Sequence, residues 1–484
     1  MSLLSDTSVW GLNFSFLLFF AFFLSYFIMK ITRLTLDNFR SHNRLDISFE
    51  RDITVIGGDN GLGKTSILDA IAQLLGYLLQ RLPGVPGLGT RRSDLRIQNN
   101  GKLAPAFRIW GQFDIETECK ALEDQPNLPY SIDVSRSVAR DLTSATRTEF
   151  ASSHPPVGRL GLAPFTRLAD ALTGAENEGK PYLVPLIVYY GTSRAVFDTP
   201  LRRRNFKVAF ARFDSLNGSL NSKANFKRVF EWFHAKEAEE NREQKRQRSF
   251  DYQDPELEVV RKAIEAFFPK FKSPRTLLRP LRFVVDQQLN ARQKITFDLD
   301  QLSDGYRTTL AMIVDLACRL VEANPPSNTN DPLKCEAIVL IDEVDLHLHP
   351  SWQQTILTDL RRVFPNAQFI VTTHSPQVLT TVEARSIRNL EKSLEKTLVN
   401  IPDFSLGAKS VQLLEDIFHV DARPPIPIVK TLKRYKSLVE NDEWDKPDAL
   451  RLREKLNNWA GNKEAELARI DIDIKMRAFR RGQK

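Results

Sequence analysis

From Lys30 the chain alternates apolar and polar positions as a half-buried strand does. Ile31, Leu34 and Leu36 come first; after a polar turn at Ser41-His42-Asn43 the alternation resumes at Leu45, Ile47 and Phe49. A third run, Ile53-Thr-Val-Ile56, leads into a glycine-rich loop and an apolar helix from about Thr65 to Leu79. Strand-like runs recur at Phe107–Phe113, Tyr130–Val134, Leu183–Tyr190, Leu281–Val285, Ile295–Leu299, Ala337–Ile341 and Gln368–Thr372. Helical spacing appears at Leu310, Ile313, Leu316, Ala317 and Leu320, and again over Trp352–Val363.

Between these runs, residues 83–89 read as a Pro/Gly loop and 141–180 as a long irregular connection. Residues 226–268 are helical and highly charged, broken near Asp251–Pro255, without the sustained heptads of a coiled-coil arm. They predict a short helical insertion. From Arg423 a Pro-rich break, Pro424-Pro425-Ile426-Pro427, opens a helical region with helices near 428–440, 447–459 and 463–480. The mixture predicts an α/β domain over 29–422 and a helical region over 423–484, ahead of which lies an apolar segment, 1–28.

That first segment carries no charge from Val9 to Ile28, a length that could span a bilayer. No basic stretch precedes it and no small-residue cleavage site closes it, which disfavours a signal peptide. Two readings remain. One is a membrane anchor and an inner-membrane association through 9–28. The other, preferred, starts the native chain at Met29, because Met29–Arg40 is already a strand and a fused membrane helix would crowd its sheet. Membrane attachment is therefore not expected. Cys119, Cys318 and Cys335 share no metal-ligand spacing and suit a reducing, cytoplasmic setting. The net charge of +8 fits either a solvated surface or a basic groove for phosphate backbone; Arg202-Arg203-Arg204 and Arg480-Arg481 are compatible with both.

The chemistry begins at Gly58-Asp59-Asn60-Gly61-Leu62-Gly63-Lys64-Thr65, followed by Ser66. It fits G-x-x-x-x-G-K-[ST] between a strand and a helix, where main-chain N–H groups wrap phosphates and the helix N-terminus favours negative charge. Lys64 is expected to reach the β- and γ-phosphates of ATP and Thr65 to hold Mg²⁺. Ala337-Ile-Val-Leu-Ile-Asp342-Glu343 buries a strand and releases two acids at its carboxyl end. Asp342 is expected to bind Mg²⁺ through water, and Glu343 to orient or deprotonate the attacking water.

Leu302-Ser303-Asp304-Gly305-Tyr306-Arg307, alone no more than a helix N-cap, resembles the ABC signature. The resemblance implies that Ser303 and Gly305 bind a γ-phosphate held by the opposite subunit. Asp304 stands where transporters usually carry Gly, and Tyr306 where they carry Gln. Val371-Thr-Thr-His374-Ser375-Pro376 resembles the switch-histidine loop, with His374 at the γ-phosphate, and Asp345 matches the D-loop that crosses the dimer interface. His347 and His349 beside Asp345 lack a further clustered ligand for a metal site. Gln98 is the candidate for the Q-loop.

These elements, in order, resemble two-lobed ABC-type P-loop ATPases of the SMC, RecF and OLD class. Asn38-Phe39-Arg40, Tyr190–Arg194 and Asp345–Pro350 resemble the RecF/OLD branch more than transporters. OLD nucleases carry a further TOPRIM domain; here the C-terminal region offers one D-x-D, Asp471-Ile-Asp473, on a predicted helix. From Asp421 it holds 16 Lys and Arg against 11 Asp and Glu, with apolar spacing at Leu467, Ile470 and Ile474. It reads as a partner-docking module or a solvated helical cap. The layout resembles the ATPase subunits of Septu-type and retron-linked anti-phage systems. That resemblance implies a homodimer or higher oligomer around ATP and Mg²⁺, a separately encoded HNH-type nuclease partner, and contact with DNA or RNA. A RecF-like DNA-repair ATPase is the alternative within nucleic-acid metabolism. A membrane-associated transport ATPase is the alternative of another class, supported by the N-terminal run alone.

Overall fold

The computed structural model describes residues 27–117, 131–141, 161–195, 211–221, 226–278, 281–290, 293–327, 330–393 and 396–482. Most of the apolar N-terminal run, the Arg202-Arg203-Arg204 cluster and Cys119 lie outside them. Among the described residues no helix is long and apolar enough to cross a membrane.

Strands β1 (Phe27–Phe39) and β2 (His42–Ser48) form an antiparallel hairpin. In β2, Leu45 and Ile47 point inward while Arg44 and Asp46 face solvent, the period-two pattern of a sheet wetted on one side. Strand β3 (Ile53–Gly58) follows, then helix α1 (Lys64–Leu79). Strands β4 (Ala106–Thr117) and β5 (Ser131–Ala139) complete an antiparallel sheet of order β2-β1-β4-β5.

Where an irregular connection was expected over 141–180, residues 163–177 fold into helix α2 (Ala163–Asn177). Pro164 occupies its first turn, where a missing N–H costs nothing. Phe165, Leu168, Ala169, Leu172 and Ala175 make its buried stripe. Strand β6 (Leu186–Tyr190) is wholly buried. The charged insertion is a helix pair, α3 (Phe226–Gln247) and α4 (Pro255–Phe267). Asp254 stops the break between them by accepting the N–H groups of Glu256 and Leu257. A three-stranded antiparallel sheet follows: β7 (Phe271–Leu278), β8 (Leu281–Gln288) and β9 (Lys294–Asp298).

Helix α5 (Asp304–Ala323) runs through the core, buried on nearly every side, with Asp315, Arg319 and Glu322 among its buried residues. Strand β10 (Ala337–Ile341), helix α6 (Ile356–Val363) and strand β11 (Ala367–Thr372) come next. The helix expected over Trp352–Val363 is two pieces, a single turn at Pro350–Gln353 and then α6. A hairpin, β12 (Ile387–Lys392) and β13 (Thr397–Asn400), closes a six-stranded sheet of order β13-β12-β3-β11-β10-β6. All its pairings are parallel except the edge pair β12/β13. Its central strands are buried on both faces, as the unbroken apolar runs of the sequence require. The carboxyl ends of β3, β6, β10 and β11 therefore gather at one edge, where open α/β sheets bind ligands.

Residues from Leu414 form a second compact unit. Helices α7 (Pro427–Glu440), α8 (Pro447–Trp459) and α9 (Ala465–Gly482) bury Leu432, Tyr435, Val439, Leu456, Leu467 and Ile470 against one another. The stripe Leu467, Ile470 and Ile474 is thus used inside the unit. Ile472, Met476 and Phe479 on the same helix are exposed.

Candidate functional site

The glycine-rich loop leaves β3 with Gly58 at φ +125°, passes Gly61 at +80° and enters α1 through Gly63 at +85°. Side chains rarely adopt such φ values. At Gly63 a Cβ would also stand 2.1 Å from Ser41 Oγ and 2.5 Å from His42 Nε2. Lys64, the first residue of α1, folds back over the loop and donates from Nζ to the carbonyls of Gly58 (2.8 Å) and Asp59 (2.9 Å). Burial pulls its ammonium down to about 8, against the opposing pull of Asp342, Glu343, Asp59 and Asp345. Asp59, Asn60 and Gly61 form the exposed crest, with Leu62 half-buried and Ser66 buried in the first turn of α1.

Thr65 Oγ1 donates to Asp342 Oδ2 at 2.9 Å. The other oxygen of Asp342 accepts from Thr372 Oγ1 at 2.6 Å, and the residue is 2% exposed. A hydroxyl and a carboxylate oxygen paired beside a phosphate loop suit a hard divalent cation such as Mg²⁺. That ion keeps most of its coordination for water and phosphate and takes few protein ligands. Glu343 stands at φ +48°, a left-handed conformation uncommon outside glycine. Its N–H donates to Thr372 Oγ1 at 2.7 Å, so one residue of β11 holds the Asp342 carboxylate and the Glu343 backbone.

His374 is half-buried, and burial, helped by the Lys64 charge, lowers its pKa and favours the neutral imidazole. Asp345 accepts from Thr373 Oγ1 at 2.5 Å, which ties its loop to the histidine loop. His349 caps the following turn and its Nδ1 meets Ser351 Oγ at 2.9 Å, while His347 is exposed at φ +62°.

Ser303 is the exposed N-cap residue of α5, yet its side chain makes no capping hydrogen bond. Gly305 lies against the Asp345 loop, where a Cβ would stand 2.5 Å from His347 O. Asp304 turns to Arg307 (2.6 Å) and lies 62% exposed at its side chain. Tyr306 packs edge-on against Trp352 with ring centroids 4.0 Å apart, and near Phe271. The two departures from the transporter signature are therefore an ion pair and an aromatic contact. Among the described residues, Ser303 has no hydrogen bond to the phosphate loop of its own chain. Gln98 sits in a tight turn, its N–H donating to Lys102 O and its carbonyl accepting from Gly101.

Thr372, Tyr189 and His42 had no site role in the sequence pattern, and Arg40 stood there only within Asn38-Phe39-Arg40. Thr372 ends an apolar strand, and its hydroxyl there was the signal. Arg40 pairs with Asp69 and Asp94. Tyr189 is hydrogen-bonded to Asp69, and burial pushes its phenol far above its ordinary range. His42, read as part of a polar turn, is fully buried.

A phosphate loop on a central parallel strand, facing an acidic strand end and a histidine loop, defines a P-loop ATPase of the ABC type. Residues 33–268 match a family described as an AAA domain, and residues 202–380 match a second AAA domain family whose description also names the AbiEii toxin and a type IV TA system. The chain is 30% identical to the Retron Ec83 probable ATPase of Escherichia coli, over 93% of this chain and 88% of that protein. It is 26% identical to the Retron Vc95 probable ATPase of Vibrio cholerae serotype O1 biovar El Tor, over 86% and 85%. The chain belongs to this family of retron ATPases. The Septu protein PtuA of Bacillus mycoides (strain KBAB4) is 29% identical over 42% of this chain and 24% of that protein. A solved SMC head bound to the C-terminal winged-helix domain of ScpA overlays 76% of this chain and 97% of that one, at 18% identity and a TM-score of 0.43.

Proposed function

We propose that this ATPase is the nucleotide-driven subunit of an anti-phage system, closing as a dimer around Mg-ATP and controlling a separately encoded nuclease. The Thr65–Asp342–Thr372 chain of hydrogen bonds, beside Lys64 and Glu343, carries the catalytic half of this reading. Lys64 binds the β- and γ-phosphates with the loop N–H groups of residues 61–65. Thr65 and Asp342 hold Mg²⁺, which when bound neutralises phosphate charge. Glu343 takes a proton from the attacking water as its oxygen bonds to the γ-phosphorus and the bond to the ADP oxygen breaks. His374, neutral, donates to a γ-phosphate oxygen.

The dimer half of the reading is supported by the signature. Ser303 is exposed, uncapped and outside the site of its own chain, so a second chain is its natural recipient. The defence role is supported by the family, whose relatives are named for retrons and for Septu. Nuclease control and nucleic-acid contact extend that resemblance. Co-expression with the products of neighbouring reading frames tests it. Phage restriction that needs Glu343 and an adjacent HNH gene supports the reading; a chain that works without any neighbour, or beside a permease, overturns it.

A further inference from the structure

We propose that His42 is a positioning residue for ATP binding, holding the last glycine of the phosphate loop from the opposite sheet, with the β12–β13 hairpin fixing it through Thr397. This rests on the assignment of residues 58–66 to ATP.

His42 is 0% exposed, and its two ring nitrogens have different partners. Nε2 lies 3.1 Å from Gly63 O, and Nδ1 lies 3.0 Å from Thr397 Oγ1. A carbonyl can only accept, so the proton sits on Nε2, and Nδ1 accepts from the Thr397 hydroxyl. Burial lowers the pKa of the ring, in keeping with the neutral tautomer this relay needs. The relay runs Thr397 O–H to His42, then His42 N–H to Gly63 O.

The carbonyl it holds matters because of peptide planarity. Gly63 C=O and Lys64 N–H belong to one trans peptide and point opposite ways. Fixing the carbonyl toward His42 aims the Lys64 N–H away from it, into the loop that receives phosphate. Gly63, at φ +85°, is the residue whose freedom would otherwise let that plane turn. The α1 helix adds a second restraint, Ile67 N–H to Gly63 O at 3.2 Å.

The same hairpin also meets the other end of the loop. Leu390 of β12 pairs with Gly58, and a Cβ on Gly58 would stand 2.7 Å from Leu390 O. The hairpin thus touches the first glycine directly and the last through His42, although it lies more than 300 residues downstream in sequence. A merely structural histidine would fill space equally well as leucine; a positioning one needs the Nε2 donor.

The test measures Mg-ATP dissociation constants, kcat and thermal melting for the full chain carrying His42→Leu, His42→Gln, Thr397→Val or the double change His42→Leu/Thr397→Val, with Lys64→Ala as reference. His42→Leu should weaken ATP binding roughly tenfold, the scale of a lost buried hydrogen bond, with kcat at saturating ATP within about threefold of wild type. His42→Gln, whose amide can donate to Gly63 O, should recover most of the affinity. Thr397→Val should weaken binding several-fold, and the double variant should bind no worse than His42→Leu, because Thr397 acts through His42. Unchanged affinity in His42→Leu, or no recovery in His42→Gln, overturns the proposal. Should His42→Leu fail to fold, Thr397→Val decides: unchanged affinity overturns, and weakened affinity at unchanged melting supports. A Lys64→Ala chain that binds ATP normally would instead sink the ATP assignment itself.

Discussion

Thr372 Oγ1 donates to Asp342 Oδ1 at 2.6 Å from the neighbouring strand, and this bond decides how the two acids of β10 are presented. With its proton committed to Asp342, the same oxygen accepts the Glu343 N–H at 2.7 Å. One hydroxyl therefore aims the carboxylate toward Thr65 and holds Glu343 in its left-handed turn. Thr372→Val keeps the shape and removes both bonds. Hydrolysis should fall roughly tenfold or more, the scale of a buried acceptor left unpaired. The Mg²⁺ concentration for half-maximal rate should rise, and Thr372→Ser should restore both. Steady-state ATPase rates across a Mg²⁺ titration read this, and a wild-type profile in Thr372→Val would refute it.

Glu343→Gln should separate binding from chemistry. The amide preserves the backbone turn but cannot accept a proton from water. ATP should bind normally while turnover falls at least on the order of 10²-fold, as for a lost general base. Lys64→Ala should lose binding first. Hydrolysis at the wild-type rate by Glu343→Gln would remove that residue from its role.

The phosphate loop, the acidic strand and the histidine loop were legible because each needs particular residue types at fixed spacing beside a buried strand. Gly58–Thr65, Asp342 and His374 lie at strand ends for that reason. Helix α2 was not legible: its stripe of Phe165, Leu168 and Leu172 is interrupted by polar residues and sits beside glycines that read as loop. The β12–β13 hairpin and strand β7 also carry mixed polarity, Ile387-Arg-Asn-Leu390 and Phe271-Lys-Ser-Pro274, and lack the alternation that reveals strands. The roles of His42 and Thr372 were hidden because they lie in partners at least 21 and at least 29 residues away. Gln98 is a weaker expectation, since a single glutamine carries no spacing.

A pH effect is expected in the insertion. Burial pushes the Glu237 carboxyl up to about 7, although the N–H and hydroxyl of Thr276 both donate to it and pull the other way. The folded state thus holds this proton where the unfolded chain has released it. The group's stabilising contribution is full below about 4.5 and is lost as pH rises through about 7. Glu237→Gln keeps an acceptor for Thr276 without the charge. Melting temperatures of the two proteins should diverge by a few degrees between pH 5 and 8, with the variant gaining as pH rises. Parallel melting curves across that range would show that Glu237 does not titrate there.

The composite site makes the sharpest demand. Lys64, Thr65 and Asp342 cluster within one chain, but Ser303 does not join them, and its hydroxyl is not used to cap α5. Gly305 is held against His347 O, so the signature and the Asp345 loop are presented together. In the proposed dimer each site would combine the phosphate loop of one copy with the signature of the other about a two-fold axis, giving two sites at once. Ser303→Arg should leave nucleotide binding by its own chain largely intact and abolish hydrolysis. Mixed with a Lys64→Ala chain, it should regain activity, because one heterodimer site then combines an intact Lys64 with an intact Ser303. Random pairing makes half the dimers mixed, each with one working site, so about a quarter of wild-type activity is expected if the sites act independently. Neither variant alone should hydrolyse ATP. No recovery in a mixture shown by mass measurement to contain heterodimers would mean either that the signature does not act across the interface or that both sites must be intact to fire. Linking wild-type and Ser303→Arg chains in one polypeptide separates these: near half activity after a failed mixture indicates independent sites whose signature acts within its own chain, and none indicates obligatory coupling between them.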